Sequence, residues 1–145
     1  MATTTATITL SSSDITDNAL SISNTATLTT AGTDTGLSET TGLARKKTNS
    51  GNNSGSNTML IEPGVANSVG ADVTQNGANK VYIKNINDRG DGTKFVNILI
   101  KTREIGRLYG GDWMFIPFSA GTGEDIEFTA SDTTETTLEY VVFYE

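Results

Sequence analysis

Short runs of the chain alternate apolar and polar residues. Ala6, Ile8 and Leu10 alternate with Thr in "TATITLSS", and "NALSISNTATLTT" continues in the same style with Leu20, Ile22, Ala26 and Leu28. Period-two alternation predicts strands, because successive side chains of an extended chain point to opposite sides. "TMLIEPG" predicts a short strand ended by Pro63-Gly64, and the following connection turns at Asn76-Gly77. Five sharper segments follow: "KVYIKNI", "TKFVNILIK", "DWMFIPF", "DIEFTA" and "TLEYVVFYE". Asp88 to Gly92 reads as a hairpin joining the first two, and Gly121 to Gly123 as the turn before the fourth. "AGTDTGLSETTGLARKK" reads as irregular, and "TNSGNNSGSNT" as an exposed polar loop.

No window has a helical period. About eight short strands with turn signals roughly every 8–12 residues predict an all-β antiparallel sandwich of jelly-roll type. Residues 1–45 are expected to form an N-terminal arm or added strands, and residues 46–145 the sandwich.

The sharper strands are apolar on both sides. In "DWMFIPF", Trp113, Phe115 and Pro117 alternate with Met114, Ile116 and Phe118. Phe95 and Leu99 stand opposite Val96, Ile98 and Ile100, and Tyr82 opposite Val81 and Ile83. One side fills a sandwich core; the other needs a second cover. Exposed aromatic clusters are costly and adhesive. The expected cover is another copy of the chain, preferably in a trimer, with Tyr82, Phe95, Leu99, Trp113 and Phe115 at or near the interface. The alternative cover is the chain's own first 45 residues.

Composition narrows the chemistry. The 145 residues include 25 Thr but no Cys and no His. No disulfide or thiolate metal site is then possible, and the commonest general base and metal ligand are missing. No nucleophile elbow or phosphate loop occurs. No enzyme activity, cofactor or metal is expected. Arg89-Gly90-Asp91 reads as a turn, and Glu124, Asp125 and Glu127 as a turn and a solvated strand. The net charge of −7 disfavours nucleic acid as a partner. Residues 1–44 contain no Lys or Arg, residues 80–107 carry seven basic and three acidic groups, and residues 108–145 carry eight acidic and no basic groups. No apolar run approaches the roughly 20 residues that span a bilayer, and the start lacks a signal-peptide pattern. The expectation is synthesis in a host cytoplasm and no membrane partner.

"VYIKN", then "EIGRLYGGDWMFIPFSAGTGEDIEFTAS", then "EYVVFYE" resembles a class of small tailed-phage virion proteins. The shared rhythm is a strand with Lys-Asn, Leu-x-x-Gly-Asp-aromatic, Ile-Pro, Asp-Ile and a last Glu-Tyr-Val-x-Phe. "LTTAG" and "TGLARKKT" upstream are similar in style, so the resemblance covers roughly residues 25–145. It implies a β-rich, often trimeric virion protein of decoration, cement or fibre type, with no catalytic residue carried over. The expected partners are the chain itself and a major capsid protein, and the expected location is the capsid surface. Arg45, Lys46 and Lys47 are candidate capsid contacts. The alternative is a tail or head-fibre module that recognises a host-surface glycan, with Trp113 beside Asp112 as its candidate site.

Overall fold

The computed structural model describes residues 4–12, 20–28, 37, 39–48, 57–90, 95–131 and 135–144. They form eleven strands: β1 (Thr4–Ser12), β2 (Leu20–Leu28), β3 (Glu39–Thr40), β4 (Ala44–Thr48), β5 (Thr58–Ile61), β6 (Lys80–Asn85), β7 (Phe95–Ile100), β8 (Arg103–Tyr109), β9 (Trp113–Pro117), β10 (Ile126–Ala130) and β11 (Thr136–Tyr144). No helix occurs among the described residues.

The alternating residues sort into two packed antiparallel sheets. One runs β5-β10-β7-β8; the other runs β3-β11-β6-β9, with β4 beside β11. The eight strands from β4 to β11 pair in nested fashion: β4 with β11, β5 with β10, β6 with β9 and β7 with β8. This is the order of a long β-ribbon folded over on itself into an antiparallel β-sandwich.

Val81 and Ile83 of β6 and Leu138 and Val142 of β11 pack inward, against Val96 and Ile98 of β7 and Ile126 and Phe128 of β10. All eight are fully buried. Each such side chain contributes about 1.5–3 kcal/mol relative to exposure. Asn85, also buried, ties the two layers at one corner. Its Nδ2 donates to the Leu108 carbonyl at 3.1 Å, and its Oδ1 accepts from the Asn87 amide at 3.2 Å.

Several expectations are corrected here. β6 and β7 do not form the expected hairpin: they belong to different sheets, and Asp91 and Gly92 of the expected turn lie outside the described residues. The true hairpin partner of β7 is β8, through Lys101 and Thr102. "ARKKT" is the edge strand β4 rather than irregular chain. Arg45 lies within β4.

β3 and β4 run along the same side of β11, separated by a bulge. Thr41, Gly42 and Leu43 stand opposite two residues, Val141 and Val142. Gly42 takes φ +75°, and the Thr41 amide and hydroxyl both bond the Val142 backbone at 3.0 Å.

β1 and β2 form a separate two-stranded ribbon, in register from Thr4↔Leu28 to Ser12↔Leu20. The polar Thr48–Thr58 loop falls mostly on residues 49–56, outside the described residues. Its far end is anchored: the Asn57 amide donates to Glu127 at 2.6 Å and accepts from Thr129 at 2.9 Å.

Candidate functional site

The five-stranded sheet has an outer face whose register dictates its chemistry. Val141, Tyr82 and Phe115 stand side by side across β11, β6 and β9. Phe143 lies one pleat to one side of this row. Glu139, Lys84 and Trp113 lie one pleat to the other. The result is an apolar row bordered by charge.

The rings pack on one another. Phe115 and Phe143 meet edge to face at 6.0 Å, and Tyr82 meets Trp113 at 6.3 Å. Yet Trp113 stays 50% exposed and Leu43, at the bulge, 64%. Thr5 to Ile8 of β1 form the opposite wall of a groove of about 530 Å³ above these residues. Four consecutive residues of an extended strand cannot all point one way. Ala6 and Ile8, which share one side of β1, line the groove together with Thr5 and Thr7. Among the described residues, cover of the groove by the N-terminal segment leaves Trp113 and Leu43 exposed.

Part of the charged border is internally paired. Arg45 Nε and Nη2 donate to one Glu139 oxygen at 3.1 and 2.9 Å. Burial, then the negative charge of Glu139, pushes the Tyr82 phenol above its ordinary pKa. Lys47 pairs with Glu135 at 2.7 Å. Lys46 has no ion-pair partner among the described residues.

The five expected interface residues do not form one patch. Tyr82, Trp113 and Phe115 share the groove. Phe95 and Leu99 lie on the outer side of the other sheet, with the core between the two groups. There the apolar surface is already screened. The Arg107 guanidinium lies 3.9 Å from the Phe95 ring centroid, and Tyr109 meets the same ring edge-on at 5.5 Å. Leu99 is flanked by its register partners Glu104 and Glu127.

The remaining candidates hold turns and a loop end. Asp112 accepts from the Arg89 guanidinium and, at 3.0 Å, from the Tyr109 amide, so the carboxylate beside Trp113 is already engaged. Glu124 accepts from the Ser119 hydroxyl and, at 3.1 Å, from the Gly121 amide. Those bonds, the hydroxyl's first, hold its pKa below the usual carboxylate range. Glu127 holds Asn57 instead. Asp91 lies outside the described residues. No group of three or more His, Cys, Asp or Glu is placed to hold a metal among the described residues.

Sequence reasoning missed Leu43, Val141 and Phe143 as members of the groove. In "LEYVVFYE", Val141 and Phe143 alternate with Tyr140, Val142 and Tyr144, and so belong to a second apolar side of that strand. No family model, no curated protein and no solved structure matches the chain.

Proposed function

We propose that this chain is a non-enzymatic structural protein of a tailed-phage virion. It acts as an oligomeric decoration protein, preferably a trimer, that bridges neighbouring capsomers on the capsid surface. The observation that carries this reading is the under-covered aromatic groove of Tyr82, Trp113, Phe115 and Phe143. A surface of this kind is suited to a protein partner, because burying it again removes apolar area from water. The resemblance of the Val81–Asn85, Glu104–Ser131 and Glu139–Glu145 stretches to phage virion proteins supplies the setting. In this role the subunits associate through the groove, and the sandwich adds buried area at capsomer joints. Lys46 supplies a positive charge for an acidic capsid surface.

The second reading, a fibre module that binds a host glycan, draws on the exposed Trp113 ring. Its weakness is the engagement of Asp112 by Arg89 and Tyr109. Electron microscopy of the parent particle, with the copy number of the chain, separates the two. Hundreds of copies on the head support decoration; a few copies at the tail favour the fibre. Light scattering of the free protein tests association, and a stable monomer at micromolar concentration overturns the oligomer.

A further inference from the structure

The edge of a sheet leaves backbone groups unpaired, and edges are commonly blunted by charge, bulges or shortness. Three edges of the sandwich are blunted in this way. β4 carries Arg45-Lys46-Lys47, and β3 beside it has two residues. β8 carries Arg103, Glu104 and Arg107, and its ladder with β7 shifts between Ile98 and Leu99. β5 has four residues, and its ladder with β10 shifts register. The fourth edge, β9, has none of these devices. It is uncharged, and its ladder with β6 runs unbroken from Lys84↔Trp113 to Lys80↔Pro117.

The hydrogen bonds at its ends show which way the β9 backbone faces. The Asn85 amide donates to the Asp112 carbonyl at 3.0 Å, and the Phe118 amide to the Asn79 carbonyl at 2.8 Å. Bonded pairs alternate along an antiparallel ladder. Met114 and Ile116 therefore turn their backbone groups to β6, and Trp113, Phe115 and Pro117 turn theirs to the open side. Among the described residues, the Trp113 and Phe115 backbone groups have no partner there. Pro117 has no N–H to leave unpaired. The open backbone lies beside open side chains: Trp113 is 50% exposed, and Pro117 is exposed too.

We propose that β9 pairs antiparallel with β9 of a second copy of this chain, about a two-fold axis at Phe115. In this register the strand is its own complement. Phe115 exchanges two hydrogen bonds with the partner's Phe115, and each Trp113 amide donates to the partner's Pro117 carbonyl. Every outward N–H of the strand then has an acceptor. Register partners share a side of the sheet, so the exposed Trp113 ring meets the partner's Pro117 and the two aromatic rows join across the axis. Met114 and Ile116, already packed at the margin of the core, meet on the inner side. This match of bonds and rings points to a second copy rather than a foreign strand. The contact rests on the oligomeric reading above and names one strand that makes it. It is isologous, so alone it gives a dimer, and beside a threefold contact it joins two trimers.

The chain has no Cys, which allows a clean crosslinking test. Phe115→Cys should give a disulfide-linked dimer under mild oxidation, because paired Cα atoms at the axis lie about 5.5 Å apart. Trp113→Cys alone should not, since its two copies lie about 14 Å apart along the paired strands. Co-expressed Trp113→Cys and Pro117→Cys chains should crosslink, and Glu104→Cys, exposed on β8, should not. Circular dichroism confirms that each variant folds, and the mixed pair decides if Phe115→Cys does not. If neither Phe115→Cys nor the mixed pair crosslinks, or if Trp113→Cys alone crosslinks as readily, the inference is overturned. A strict trimer by light scattering also overturns it. In each of these outcomes an oligomer leaves the association reading standing, whereas a monomer of the parent chain at micromolar concentration overturns both.

Discussion

Tyr82 and Trp113 meet diagonally across the β6–β9 ladder, ring centroids 6.3 Å apart and planes tilted by 37°, although their register partners are Phe115 and Lys84. Diagonal neighbours of this kind lie within reach of aromatic side chains. The contact lies on the outer side of the sheet and leaves half of the indole in solvent. The energetic roles of this face and the core should therefore separate under mutation. Trp113→Ala should cost about 1 kcal/mol or less in the isolated subunit while weakening self-association. Phe128→Ala, at a fully buried position, should cost about 3–5 kcal/mol. Urea unfolding followed by circular dichroism measures the first quantities, and light scattering the association.

Glu124 makes stability depend on acidity. Its folded pKa is depressed by the Ser119 hydroxyl and the Gly121 amide. A depressed carboxylate contributes stability that is present above its unfolded pKa and lost as pH falls through the folded value. The melting temperature should fall on acidification below about pH 4.5, the ordinary value. Glu124→Gln retains an acceptor for both donors and removes the titration. Its melting temperature should fall less steeply over that range.

Tyr82 responds at the alkaline end. A phenol with a raised folded pKa contributes stability below its unfolded pKa and loses it as pH rises through the folded one. Burial is the larger cause and Glu139 the smaller. Glu139→Gln should therefore move the Tyr82 titration down without returning it to the ordinary range. The ring resonances of Tyr82, followed by NMR through the alkaline range, report the shift. An unchanged midpoint would count against the assigned role of Glu139.

Gly110 is held by its neighbour's backbone. A Cβ there would lie 2.5 Å from the Asp88 carbonyl oxygen, in the segment where β8 hands over to β9. That contact cannot be relieved by moving a flexible side chain. Gly110→Ala should destabilise by about 2 kcal/mol or more. Gly111 has open space around its Cβ position but φ +85°, so Gly111→Ala should cost only the left-handed conformation, about 1 kcal/mol. Thermal melts of the two variants rank them.

The chain should fold without a cation. The described residues hold no ligand cluster, and the sequence has neither Cys nor His. EDTA should leave the melting temperature unchanged, and a fall of many degrees would refute this.

Strands with a buried side were legible in the sequence. In β6, β7, β10 and β11, alternation marks inward residues such as Val81, Val96, Phe128 and Leu138, and the hydrophobic effect enforces it. β8 was not, because only Leu108 of "REIGRLY" is buried and Gly106 interrupts the pattern. Its turn was hidden too: Lys101 and Thr102 take φ +49° and +64°, a conformation usually signalled by Asn or Gly. β4 escaped because it is an edge strand whose Arg45-Lys46-Lys47 run keeps to solvent. The site was half legible. Two-sided strands reveal that a second apolar surface exists, but period-two alternation does not say which sheet a strand joins. Tyr82, Trp113 and Phe115 were thus grouped with Phe95 and Leu99, which the crossover after β6 sends to the other side.

β11 lies in the middle of its sheet, bonded to β6 along one side and to β3 and β4 along the other. It is also the last of these strands to be made. During synthesis, β6 and β9 emerge with one long side unsatisfied, and β4 has no neighbour at all. The nascent chain must keep these edges from pairing with other chains until β11 arrives to join residues some ninety positions apart. Such non-local closure is intrinsically slow. Yield in the cell is thus a contest between the arrival of one strand and the sticking together of unfinished chains.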